Sequence, residues 1–146
     1  MNTQKIGNRI KENELVIVRG ASGSGKSTFV NRKYPSYNHF EADMYFQKNG
    51  NYEFDRSKLH EAHGWCQNEV KKSLDCGNNT IVSNTFVKLW EMQYYLDLGK
   101  IYNIPVTVYR LTTKFKNIHN VPDEIVNKMV NGFEDYNGEI IIGGIK

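Results

Sequence analysis

The chain has 146 residues, a net charge of +3 and two cysteines, Cys66 and Cys76. That length supports one sheet-and-helix core and excludes a second domain of ordinary size, while the charge is too small to select a polyanionic partner. Sparse cysteines exclude a disulfide scaffold and suit a reducing cytoplasm, and no apolar run approaches the roughly 20 residues of a bilayer span. The start, Met1 to Asn13, is a polar segment unlike a signal peptide, so a single soluble cytoplasmic domain over residues 1–146 is expected.

Leu15-Val16-Ile17-Val18 is a short β-branched run that meets glycine at once, the pattern of a buried parallel strand entering a turn. A helix begins around Phe29 and Val30 and must end at Pro35, which lacks an amide donor and restricts the residue before it. A second strand is expected near Asn38 to Glu41. From Ser57 to Asp75 the residues Leu59, Ala62, Cys66, Val70 and Leu74 recur at helical spacing, with Gly77 as the stop. Thr80 to Ser83 predicts a strand, Val87 to Tyr102 a helix, Val106 to Tyr109 another strand, Asp123 to Phe133 a helix beside Pro122, and Ile140 to Ile142 a terminal strand. This alternation predicts an α/β three-layer fold: a mostly parallel sheet with helices on both faces and the ligand at the carboxyl ends of the strands.

Between the first strand and the first helix lies Gly20-Ala21-Ser22-Gly23-Ser24-Gly25-Lys26-Ser27, which fits G-x-x-x-x-G-K-[ST] in the context that motif requires. Glycines let successive amides point at phosphate oxygens, and the helix that follows adds the positive end of its dipole. Residues 20 to 28, closing with Thr28, are therefore expected to bind the triphosphate of ATP or GTP. Lys26 is expected on the β and γ phosphates, and Ser27 is expected to give its hydroxyl to Mg²⁺.

Asp43 follows the second strand and should share the sheet edge with this loop, where a carboxylate accepts a proton from an acceptor hydroxyl or holds Mg²⁺ through water. A solvated loop aspartate is the plain alternative. Asn84 and Thr85 follow the third strand in the same way and are candidate acceptor contacts, although both are ordinary turn residues. Arg110 ends the next strand, and Lys114, Lys116 and His119 continue into a polar segment, so residues 111–121 form a candidate lid over the triphosphate or else a solvated loop. His60, His63 and Cys66 invite a metal reading. At about 100° per residue, however, His60 and Cys66 differ by about 240° around the axis, which favours a packed helix with partly buried imidazoles. Tyr45, Phe46, Tyr52 and Phe54 either stack nucleobases or cover the core.

With these residues in view, the chain resembles the P-loop polynucleotide 5′-kinase family, and more closely the kinase-like ATPase module of Nedd-four-binding proteins. The matching pieces are Arg19 to Thr28, Ala42-Asp43-Met44-Tyr45-Phe46, Tyr52-Glu53-Phe54 with Glu61-Ala62-His63-Gly64-Trp65, Ser83-Asn84-Thr85, and Asn117 to Val121. The resemblance places Asp43 at the acceptor-activating aspartate and Tyr45 beside it, and makes Val121 to Glu134 the helix after the lid. This chain departs from the kinases by carrying Asn84 in place of an aspartate, Phe46 in place of an arginine, and Lys114 and Lys116 where the lid has arginines; Phe86 stands where both relatives have asparagine. Lysine is a point charge without arginine's planar fork.

The resemblance implies an ATP- and Mg²⁺-dependent transfer of the γ-phosphoryl group to a hydroxyl, with a nucleic-acid 5′-end as the leading acceptor. Lys26, Asp43, Arg110, Lys114 and Lys116 are the expected catalytic set, and Tyr45, Asn84 and Thr85 the expected acceptor contacts. A nucleoside, nucleotide or other small-molecule acceptor, and a nucleotide-binding regulator without turnover, are the alternatives.

Overall fold

The computed structural model describes residues 13–48, 50–113 and 122–143. Five parallel strands form one sheet: β1 (Leu15–Gly20), β2 (Asn38–Phe40), β5 (Thr80–Asn84), β6 (Val106–Leu111) and β7 (Ile140–Ile142), in the order β2-β5-β1-β6-β7. β1 runs on to Gly20 because it pairs along its length with β5 on one side and β6 on the other, so Ile17 is flanked by Val82 and Val108.

Alternation along these strands divides the core in two. Leu15, Ile17, Val82 and Val108 pack with α2 (Leu59–Asp75) and α3 (Gln93–Tyr102), through Ala62, Cys66, Val70, Leu74, Tyr95 and Leu98. Val16, Val18, Ile81, Tyr109 and Leu111 face α1 (Lys26–Lys33) through Val30. The expected three-layer arrangement is therefore present, with its apolar positions divided by strand parity. No helix among the described residues is long and apolar enough to cross a membrane.

The structure corrects several expected boundaries. α2 starts at Leu59 after a 3₁₀ turn, Arg56–Lys58, whose entry is capped by the Asp55 carboxylate accepting from the Ser57 amide at 3.0 Å. It ends at Asp75, and the reversal beyond it needs the left-handed φ of 78° at Gly77. The helix expected from Val87 begins late: a 3₁₀ turn covers Leu89–Met92 and α3 follows. Phe86 has φ 46°, and the carbonyls of Phe86 and Val87 accept from Arg19, so neither residue takes part in a helix. α4 spans Asp123–Gly132, stopping one residue short of Phe133, which turns extended. A two-stranded antiparallel hairpin, β3 (Gln47–Lys48) with β4 (Asn51–Tyr52), interrupts the expected alternation of strands and helices.

His60 and His63 are exposed whereas Cys66 is buried, so the imidazoles lie on the solvent side of α2 rather than partly within the core. Lys114, Lys116 and His119, and with them most of the segment expected as a lid, lie outside the described residues.

Candidate active site

The carboxyl ends of β1, β2 and β5 come together at one edge, and the loop from Gly20 to Ser27 leaves β1 there. Gly20 is glycine for space, since a Cβ would meet Ser24 Oγ and lie 3.1 Å from the Leu111 carbonyl. Gly25, the residue before α1, holds φ 89°, a conformation that favours glycine. The first intrahelical bond of the loop-to-helix junction runs from the Phe29 amide to the Gly25 carbonyl, so the amides of residues 26 to 28 open toward the loop side. Ser24 Oγ is buried without a hydrogen-bond partner among the described residues. Ala21, Ser22 and Gly23 complete the turn, and Ser27 and Thr28 are exposed on the first turn of α1.

Lys26 Nζ folds over this loop and donates to the carbonyls of Gly20, at 2.9 Å, and Ala21, at 3.1 Å. Burial lowers its pKa from 10.5 to about 8, against the pull of Glu41 and then Asp43, which favour the ammonium. A cation held partly desolvated on two carbonyl oxygens is suited to exchange them for phosphate oxygens.

β2 delivers two carboxylates. Its register sets Phe40 beside Val82, so Glu41 and Ser83 are the next neighbours at the edge. Glu41 Oε2 accepts from Ser83 Oγ at 3.3 Å and from Ser27 Oγ at 3.5 Å, and lies 3.6 Å from His39 Nε2. Burial pushes the Glu41 carboxyl upward, opposed first by Lys26. Burial also lowers His39, whose Nε2 sits 2.6 Å from Ser83 Oγ.

Asp43 stands in a 3₁₀ turn, Ala42–Phe46, and its Oδ1 accepts from the Tyr52 hydroxyl at 3.1 Å. Burial first, and then the Asp43 charge, push the Tyr52 phenol up to about 12, keeping it a donor. The turn is fastened by Asn84, whose Oδ1 accepts from the Ala42 amide at 2.9 Å. Asn84, expected as an acceptor contact, thus anchors the segment that carries Asp43. Thr85 lies at the same edge, and its carbonyl accepts from the Gly20 amide at 3.2 Å, tying β5 to the start of the loop. Tyr45 donates to Glu61 at 2.8 Å and packs against Phe46 and Trp65. Of the aromatics between β2 and α2, Phe46 is in the core, while Tyr52 remains exposed beside Asp43 and Phe54, also exposed, stacks on Tyr52.

Arg110, expected in the catalytic set, is ion-paired at the end of β6. Its Nη1 donates to Asp135 at 2.6 Å and to Glu139 at 3.2 Å, and its guanidinium lies over Phe133. The neighbouring Arg19, fully buried, shares the same face: Nη1 reaches Glu139 at 2.9 Å, Nε and Nη2 bind the Phe86 carbonyl, and Nη2 also takes Val87. Two arginines on adjacent strands therefore clamp the segment between α4 and β7.

Glu41, Arg19 and Glu139 belong to no motif that marks them as site residues in the sequence. For Glu41 a signal exists, namely its place two residues before Asp43 combined with the lack of a carboxylate in Ser83-Asn84-Thr85 at the end of β5. For Arg19 and Glu139, 120 residues apart, there is none. The residues present fit a nucleoside triphosphate with Mg²⁺: a glycine cradle closed to a Cβ at Gly20, a lysine, a helix N-terminus, and a hydroxyl beside a carboxylate.

A family described as an AAA domain matches residues 15–131. NEDD4-binding protein 2 of Homo sapiens is 34% identical over 135 residues, which are 84% of this chain and 8% of that protein, so the chain spans a small part of its relative. Among solved structures, the APS kinase CysC of Mycobacterium tuberculosis in complex with AMPPNP and APS superposes with a TM-score of 0.64 at 15% identity, over 94% of this chain and 91% of that one. The Pnkp1/Rnl/Hen1 complex gives a TM-score of 0.58 at 20% identity, over 84% of this chain and 40% of that one. At identities this low the superpositions show a shared kinase-like fold and nothing finer.

Proposed function

The chain belongs to the family described as an AAA domain, P-loop kinase-like in fold, and from that premise we propose that it is an ATP-dependent phosphotransferase that moves the γ-phosphoryl group to an acceptor hydroxyl, with a polynucleotide 5′-hydroxyl as the leading acceptor. The observation that carries this reading is the placement of Asp43: a half-buried carboxylate, oriented by Tyr52 and by the turn that Asn84 fastens, on the same sheet edge as Lys26.

In this reading the loop amides and the N-terminus of α1 hold the triphosphate, and Lys26 leaves the Gly20 and Ala21 carbonyls for its outer phosphates. Mg²⁺, when bound at Ser27, supplies charge neutralisation as the bond to the γ-phosphorus breaks. Asp43 accepts the proton of the acceptor hydroxyl as its oxygen attacks the γ-phosphorus, and the ADP oxygen departs. Positioning and electrostatics supply most of the rate. Lys114 and Lys116 are proposed to close on the γ-phosphate as a lid. The nucleic-acid acceptor draws on the likeness to the Pnkp1/Rnl/Hen1 RNA repair complex and on the exposed ring of Tyr52 beside Asp43, with Phe54 stacked on it. The likeness to APS kinase keeps a small-molecule acceptor as the second reading.

Incubation with γ-labelled ATP and Mg²⁺ against hydroxyl-ended DNA and RNA, nucleosides and small metabolites tests both. Label on a polynucleotide 5′-end is the expected result. Label only on a small molecule selects the second reading, and label on none of them, with ATP bound, removes the phosphotransferase.

A further inference from the structure

P-loop enzymes of the Ras and ATPase kind hold their cation between the loop hydroxyl and a carboxylate on a nearby strand. Here the strand beside β1 on that side is β5, and it leaves the sheet as Ser83, Asn84 and Thr85, without a carboxylate. Asn84 is already committed to the Ala42 amide. One strand further out, β2 brings Glu41 alongside Ser83, and the Glu41 carboxylate spans the end of β5 to come within 3.5 Å of Ser27 Oγ. Asp43, two residues on, is engaged instead by Tyr52 from the hairpin side. The two carboxylates of one short segment therefore face different partners: Glu41 the loop hydroxyl, Asp43 the aromatic wall.

We propose that Glu41 is the carboxylate that holds the divalent cation at Ser27 Oγ, a task moved in this chain from the end of β5 to the end of β2. It rests on the reading of the loop as a site for ATP with Mg²⁺, and divides the labour there: Glu41 serves the metal and Asp43 the acceptor. His39 and Ser83 are positioning residues for Glu41, since the imidazole is hydrogen-bonded to the same hydroxyl that donates to Glu41 Oε2. The donor set suits Mg²⁺, which takes one or two carboxylates together with phosphate oxygens and keeps several waters.

The test is calorimetry of the whole chain with a non-hydrolysable ATP analogue, first with excess Mg²⁺ and then with EDTA, so that the ratio of the two affinities reads the metal alone. Glu41→Gln keeps an oxygen to accept from Ser27 and Ser83 but removes the charge. It is expected to lose about 10- to 100-fold of the Mg²⁺-dependent gain, with a metal-free affinity at or above the parent value because a negative charge beside the triphosphate is gone. Asp43→Asn is expected to keep the gain. Glu41→Asp, which retains the charge but draws it back by one methylene, should keep part of the gain and serves if Glu41→Gln does not fold. A parent-sized gain in whichever Glu41 variant folds overturns the assignment, as does its loss in Asp43→Asn alone. A parent that binds the metal–nucleotide complex tightly yet phosphorylates no acceptor would remove the kinase reading and leave this one standing.

Discussion

The phosphate loop and the turn that carries Asp43 meet at one sheet edge but are built in opposite ways. The loop's conformation comes from its own residues: Gly20 and Gly25 admit the backbone path, and Lys26 closes onto carbonyls five and six residues back. The Asp43 turn depends on distant chain, with Asn84 bonded to Ala42 and Ser83 to Glu41, each across 42 residues, and with Tyr52 brought over by the hairpin. A locally built element survives changes elsewhere and loses function mainly through its own residues. An element assembled from afar can be disabled by substitutions that touch no ligand.

The sharpest division between the two comes from Asp43→Asn, which keeps size and most hydrogen-bonding shape. Single-turnover transfer should fall by ~10²- to 10⁴-fold while ATP affinity stays near that of the parent. Parent-like transfer would exclude Asp43 as the base. On the loop side, Lys26→Ala should weaken ATP binding by roughly 10- to 150-fold, as expected when a charge-assisted bond of about 1.5–3 kcal/mol is lost. Calorimetry on the folded variant checks this, and undiminished binding would dissolve the phosphate-loop assignment.

Asn84→Ala tests whether the turn is held from a distance. It leaves the buried Ala42 amide unpaired, at a cost of roughly 1–3 kcal/mol. Transfer should slow by about 10- to 100-fold with ATP affinity unchanged, because only the Asp43 side is released. Equal loss of both quantities would mean that the two elements are one cooperative unit.

Taken per pH unit, the smallest effect is in pH. Bound phosphates favour the Lys26 ammonium, so ATP affinity should decline above pH 8 by up to about tenfold per unit as the free protein gives up that proton. The stability of the nucleotide-free protein should move the other way. Below about 8 the lysine is charged in both folded and unfolded chains and the cost of burying it is fully present. Between about 8 and 10.5 the unfolded chain binds more protons, so stability from this group rises with pH. Thermal melts across pH 7 to 11, compared with Lys26→Met, isolate the contribution; a flat difference would refute it.

Sequence by itself determined the parallel α/β order, the phosphate loop with its cation, and the position of Asp43 just past β2. Each of these rests on a local rule: β-branched runs flanked by turns, glycine where the backbone must bend, a helix period read over a few turns. Sequence placed Arg110 beside a lid, yet the tertiary structure gives it to Asp135 and Glu139, carboxylates that return to β6 only because β7 pairs there. It offered Asn84 to an acceptor, and the fold assigned its side chain to the Ala42 amide. Glu41 read as an ordinary strand-end residue until the pairing of β2 with β5 set it beside Ser83 and Ser27. The physical reason is common to all three. A side chain's partner is chosen by strand order and register, which depend on how the apolar faces of distant segments pack together, and no local pattern of residues encodes that choice.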